Sequence, residues 1–155
     1  MDSSFSSTLD PQAIAEHVRS GMLANDRATQ GLGIAITSIG PGRATLEMTV
    51  RADMLNGFDI CHGGFITTLA DSAFAFACNA RNEMTVASGL SIDFLAPARA
   101  GDRLTAEARE VSLAGRTGVY DVSVRNQRGE AIAVFRGRSY CLKGKATVPL
   151  AVADR

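Results

Sequence analysis

Neither sign of charge is in excess in this 155-residue chain: 16 Lys and Arg balance 16 Asp and Glu. That absence excludes nucleic-acid or membrane-surface binding driven by bulk charge, and a low net charge with much apolar sequence favours self-association. Long apolar runs are also missing. No stretch reaches the roughly 18 uninterrupted apolar residues of a membrane span. The nearest one, after Gly64, is broken by Thr67, Thr68, Asp71 and Ser72. Cys61, Cys78 and Cys141 are few and show no CxxC spacing, so a disulfide framework is not expected and reduced thiols in the cytoplasm are. The opening MDSSFSSTLD lacks the basic and apolar regions of a signal peptide. With no internal repeat, low-complexity segment or linker, one domain over residues 1–155 is expected.

What is present reads in order. Residues 1–9 are Ser-rich and expected to be disordered. Residues 10–30 hold an N-terminal helical segment. Asp10-Pro11 reads as an N-cap and first helical position, and the helix from Pro11 to about Ala24 turns Ile14, Val18 and Met22 to one face. Residues 31–38 (GLGIAITS) read as a short strand. Pro41-Gly42 is a turn. Residues 43–51 then alternate, with Ala44, Leu46, Met48 and Val50 on one side and charged or hydroxyl residues on the other, which predicts a half-buried strand. Further strands are predicted at 86–95, 103–113, 118–126 and 131–142, separated by turn-like Pro97–Gly101, Ala114-Gly115 and NQRG. From Lys143 onward, residues 143–155 read as a loose tail. Strands joined by short turns form an antiparallel sheet, so the fold class is α+β.

One stretch organises the rest: Met54 to Ala80, MLNGFDICHGGFITTLADSAFAFACNA. It opens as a loop at Asn56-Gly57, is punctuated by Gly63-Gly64, and runs into a long helix ending near Asn79. Its apolar residues sit all around the helix, which predicts burial. Asp71 is its only carboxylate, and aspartate is rarely buried without a partner or a purpose. A curved antiparallel sheet covers most of such a helix. Part of the helix and one sheet edge stay open, so a dimer is expected.

The segment NGFDICHGGFITTLADSAFAFACN, with SIDFLAPARAGDRLTAEA and GRTGVYDVSVRNQRGEAIAVFRGRS behind it, resembles the hotdog-fold acyl-CoA thioesterases, most of all the PaaI-type family of phenylacetate degradation. The resemblance covers about residues 30–142. It implies a hotdog fold, a curved antiparallel sheet wrapped around one long helix. It also implies a homodimer, often a dimer of dimers and hence a homotetramer, and hydrolysis of a CoA thioester, an aryl-acetyl-CoA such as phenylacetyl-CoA or a hydroxylated derivative. No metal or separate cofactor is implied, since coenzyme A belongs to the substrate.

Thioester hydrolysis needs donors aimed at the carbonyl oxygen and a nucleophile or base. The backbone N–H groups of Gly63 and Gly64 at the helix start fit the first need, or else mark only a tight helix entry. Asp71 fits the second, as nucleophile or general base. His62 either donates to the carbonyl or orients the loop. Asn56 either donates to substrate or water or is a turn residue. Ser72 either positions water or is a small helix contact, and Thr68 lies one turn before it. Arg116 is a candidate for the coenzyme phosphates, with Arg99, Arg136 and Arg138 as others. Gly63 and Asp71 are eight residues apart, about 12 Å along a helix, while one thioester carbon must lie within about 3 Å of both. Two antiparallel helices from two chains satisfy both demands. The rival readings are a hotdog enoyl-CoA hydratase or dehydratase, which needs a His paired with a carboxylate, and a non-catalytic acyl-CoA binding or structural dimer.

Overall fold

The computed structural model describes residues 9–150. The Asp10 carboxylate accepts the Ala13 N–H at 3.3 Å and starts helix α1, Pro11–Asn25, whose Ala15 and Val18 are fully buried. A second helix, α2 (Arg27–Gly31), closes the N-terminal helical segment and ends on Gly31, where the sequence suggested that a strand begins. Asp26 explains it: its side chain accepts from Thr29 N–H at 3.0 Å and from the Thr29 hydroxyl at 2.7 Å, a local cap strong enough to hold one turn. The first strand, β1, therefore begins later, at Ala35–Gly40.

Strand β2 (Arg43–Thr49) buries Ala44, Leu46 and Met48 and turns the residues between them outward. A short 3-10 turn (Ala52–Met54) and a loop lead into helix α3, Gly63–Asn79. Strands β3 (Thr85–Phe94), β4 (Arg103–Ala114), β5 (Thr117–Arg125) and β6 (Ala131–Cys141) follow, each boundary within one residue of its predicted place. The six strands form one antiparallel sheet in the order β1-β2-β4-β5-β6-β3. Register shifts in β1, β3 and β4 are bulges that bend the sheet. This is the hotdog arrangement: α3 carries the chain from β2 across one face of the sheet to β3 at the far edge.

The core lies between α3 and that face. Phe74 stands at 5.5 Å from Tyr120 and 5.8 Å from Phe135, centroid to centroid. Gly137 makes this possible, because a Cβ there would meet the Phe74 ring at 2.9 Å. Leu69 and Phe76 are buried with Met48, Leu104 and Ile132. The helix is not enclosed all round, however. Gly64, Thr68, Asp71 and Ala75, spaced three or four residues apart along one side, stay partly exposed. The sheet leaves that stripe uncovered because it wraps the helix from one direction only. Among the described residues nothing pairs with the outer edge of β3, where Val86, Leu90 and Phe94 are exposed.

The segment after β6 is not loose over its described part. Leu142 N–H donates to Met84 O and Met84 N–H to Lys145 O, each at 2.8 Å. Val148 N–H donates to Asn82 Oδ1 at 2.8 Å, while Asn82 Nδ2 donates to Val148 O at 2.9 Å. Thr147 Oγ1 donates to Asn79 Oδ1 at 2.8 Å. A strap is thus tied across the C-terminal end of α3. Residues 1–8 and 151–155, covered by the expectations of disorder and of a loose tail, lie outside the described residues.

Asn79 is the hub of this tie. It is 4% exposed, donates to Ala75 O and Thr85 O, and accepts from Thr85 N–H and Thr147 Oγ1. Asn79→Ala leaves the Thr85 backbone groups unpaired and is expected to cost roughly 2–3 kcal/mol. Urea denaturation of both proteins measures that difference.

Candidate active site

The loop before α3 is shaped by Asn56. Its Oδ1 accepts from Phe58 N–H at 2.9 Å and from Ile60 N–H at 3.4 Å, an Asx-type turn. Asp59 takes the left-handed backbone conformation, φ 57°. The loop is closed by an isolated bridge between Leu55 and Cys61, and Cys61 N–H donates to Ala98 O at 2.7 Å. With the Asn56 oxygen committed to the loop, its Nδ2 hydrogens are the part left to donate elsewhere.

His62 caps α3. Its Nδ1 accepts from Gly64 N–H at 3.3 Å, and its backbone carbonyl accepts from Phe65 N–H at 3.0 Å. An accepting Nδ1 is unprotonated, so the neutral ring carries its hydrogen on Nε2. This separates the two glycine amides expected to act together. Gly64 N–H already has a partner. Gly63 N–H has none among the described residues and stands at the positive end of the helix. The spacing HGG gives no sign of this difference, since it depends on the rotamer of His62.

Asp71 lies two turns further along. Its carboxylate makes no hydrogen bond or ion pair among the described residues and is half-buried. Burial raises its pKa above the usual 3.8, and the negative charge of Asp26 raises it further. Thr67 and Thr68 do not approach it as partners: their hydroxyls donate back to Gly63 O at 2.8 Å and Gly64 O at 2.9 Å. Ser72 is buried and meets Thr29 Oγ1 at 3.2 Å. Thr29 spends its hydroxyl hydrogen on Asp26, so Ser72 is the donor of that bond. The structure thus gives Ser72 the role of a contact between α3 and α2. Asp26 and Thr29, which the sequence reading left out, are its partners. Asp26, an N-cap residue type ahead of a helical stretch, was the signal available for them.

Asn56, Gly63 and Ile66 line a cavity of about 510 Å³ together with Phe94, Leu95 and Ala96. Its wall is mostly apolar, and Phe94 and Leu95 belong to it although the sequence reading passed over them. Arg116 does not join this group. It sits in the β4–β5 hairpin, where its carbonyl accepts from Cys141 N–H. Cys141 pairs with Thr85, just past the C-terminal end of α3, so Arg116 is at the opposite end of the helix from Gly63. Arg136 is held by Asp121 through bonds of 2.7 and 2.8 Å. Among the described residues, no cluster of three or more His, Cys, Asp or Glu could hold a metal, and no helix is long and apolar enough to cross a membrane.

The fold and this helix-start arrangement define a class, and comparison with known proteins agrees: residues 58–133 match the Thioesterase superfamily, and the chain belongs to that family. Among individual proteins, it is 48% identical over 126 residues to the acyl-coenzyme A thioesterase PaaI of Escherichia coli K12, covering 81% of this chain and 90% of that one. The structure of the E. coli PaaI protein from the phenylacetic acid degradation operon superposes with a TM-score of 0.86 at 44% identity, covering 88% of this chain and 99% of that one. A Streptococcus mutans protein bound to acetyl CoA superposes with a TM-score of 0.69 at 26% identity, covering 72% and 90%.

An unpaired, desolvated carboxylate costs stability. Because the folded-state pKa of Asp71 lies above its unfolded value, that cost is absent in acid, grows as pH rises through the two values and is complete above the folded one. Asp71→Asn is therefore expected to raise Tm at pH 7 and to have no such effect near pH 3. Thermal scans at both pH values check this.

Proposed function

We propose that this protein hydrolyses acyl-CoA thioesters, releasing a free acid and coenzyme A, with an aryl-acetyl-CoA such as phenylacetyl-CoA as the preferred substrate. The observation that carries the reading is the pairing, on one helix, of an unpartnered N–H at Gly63 with an unpartnered carboxylate at Asp71. The first is suited to a carbonyl oxygen as it gains negative charge. The second is suited to attack on the carbonyl carbon or to removal of a proton from water. The similarity to E. coli PaaI supports the substrate class.

Eight residues separate the two groups, about 12 Å along the helix axis. A working site then takes Gly63 N–H from one chain and Asp71 from a second. Two features support such a dimer: the uncovered stripe of α3 and the free edge of β3. Antiparallel pairing through β3 continues the sheet, gives its free backbone groups partners, and brings the two α3 helices side by side. A second association, making a dimer of dimers, rests on the family likeness. In this reading Asn56 donates through Nδ2 to the substrate or to water, and His62 holds the helix start. Arg116, at the far end of α3, reaches a site only as the contribution of the second chain. Coenzyme A enters as part of the substrate, and the reaction calls for no other cofactor.

The hydratase reading fits less well. It needs a His paired with a carboxylate, whereas the bond of His62 Nδ1 is to a backbone amide.

Thiol release from phenylacetyl-CoA and from short straight-chain acyl-CoA esters tests the proposal. Hydrolysis is expected with both, faster with the aryl ester. Asp71→Asn is expected to abolish nearly all of it while coenzyme binding persists. The raised pKa of Asp71 places the acid limb of kcat/KM above the usual carboxylate range of about 4. An active Asp71→Asn protein would remove the assignment.

A further inference from the structure

Phe94 ends β3 on the face of the sheet that holds α3. A Cβ built on Gly63 would lie 2.8 Å from its ring Cζ and 3.0 Å from Cε2. The tip of the ring therefore rests against the backbone of the one residue at the helix start whose N–H is unpartnered. The same ring forms part of the cavity wall beside Asn56, Ile66 and Leu95. A ring seated at one end on the Gly63 backbone, with its flank lining the cavity that also holds Asn56 and Gly63, is placed to meet whatever enters there.

Simple distances place the ring beside the reacting carbonyl. A carbonyl oxygen accepting from Gly63 N–H sits about 2.9 Å from that nitrogen. The carbonyl carbon and the first acyl carbons follow within a few bond lengths. The thioester sulfur lies as near as the first acyl carbon, and it is the mostly apolar wall of Ile66, Phe94, Leu95 and Ala96 that favours the acyl group over the amide-bearing arm of the coenzyme as the part packed against the ring.

We propose that Phe94 determines acyl specificity in this protein by presenting its ring as the wall on which an aryl acyl group packs. The assignment rests on the thioesterase reading above. An aromatic acyl group gains an offset or edge-to-face contact with the ring, while a straight chain gains only burial. The extra contact corresponds to roughly a two- to tenfold preference. Gly63 serves this arrangement as well as the carbonyl, since any larger residue would push the ring off its seat.

Two measurements test it. The first compares kcat/KM for phenylacetyl-CoA and hexanoyl-CoA in the unaltered protein and in Phe94→Leu, which keeps apolar bulk but removes the ring. The aryl-to-alkyl ratio is expected to fall two- to tenfold. An unchanged ratio overturns the assignment and leaves the thioesterase reading standing. Hydrolysis of neither ester by the unaltered protein overturns both. The second needs no thioester and asks whether the ring sits where described. Gly63→Ala should lower Tm, and adding Phe94→Ala should recover part of that loss, so that the double variant is more stable than the sum of the single ones predicts. Additive changes in Tm would mean that ring and glycine are not in contact, and the assignment would lose its geometry.

Discussion

Leu69, Ala70, Ala73, Phe74, Phe76 and Ala77 make most of the circumference of α3 apolar, and a single sheet can cover a helix only from one direction. The bulged strands bend to enclose as much as they can, and Gly137 yields its side-chain volume so that Phe74 reaches between Tyr120 and Phe135. What the sheet does not reach is the stripe through Gly64, Thr68, Asp71 and Ala75. The groups proposed to do chemistry lie on or beside it. The same packing that stabilises the protomer therefore leaves its reactive groups on the side that faces out of the core.

The ends of the helix are secured differently. At the start, His62 engages the amides of Gly64 and Phe65 and the Asn56 turn those of Phe58, Asp59 and Ile60, while that of Gly63 is left without a partner among the described residues. At the finish, Asn79 and Asn82 bind the strap that follows β6. A helix fixed at both ends holds Asp71 at a constant height relative to Gly63. The carboxylate itself has no partner to stabilise it, and the nearby Asp26 charge adds to the cost of its ionisation. A group kept under those terms is explained by what it does to a ligand rather than by what it does for the fold.

Much of this was legible in the residues. The alternation Ala44, Leu46, Met48 marks β2 because strand periodicity is local, and the four later strands are bounded by turn residues that act locally too. The carboxylate inside an apolar helix was visible for the same reason. Local pattern failed where the deciding contact is distant. Asn79, Asn82 and Thr147 look like ordinary polar residues until the fold brings them together across more than 60 positions. Ser72 reads as adjacent to Asp71 in sequence, yet its hydroxyl is claimed by Thr29 from another helix. Helix α2 is a single turn followed by a glycine-containing stretch that also suits a strand, and only the Asp26 cap decides between them. Phe94 was counted as one more strand residue, because nothing in its neighbours reveals that it rests on Gly63.

The central claim is that one site draws Gly63 N–H and Asp71 from two chains. Subunit mixing between Asp71→Asn and Gly63→Ala proteins tests it most directly, the second variant keeping its N–H but placing a methyl group where the carbonyl has to approach the backbone closely. If the site is shared, a mixed dimer contains one site built from the unaltered Gly63 of the first chain and the unaltered Asp71 of the second. Thiol release from phenylacetyl-CoA should then rise above that of either variant alone as mixed dimers form. Mixed dimers that are demonstrably formed yet no more active than their parents would contradict the account and place both groups within a single chain.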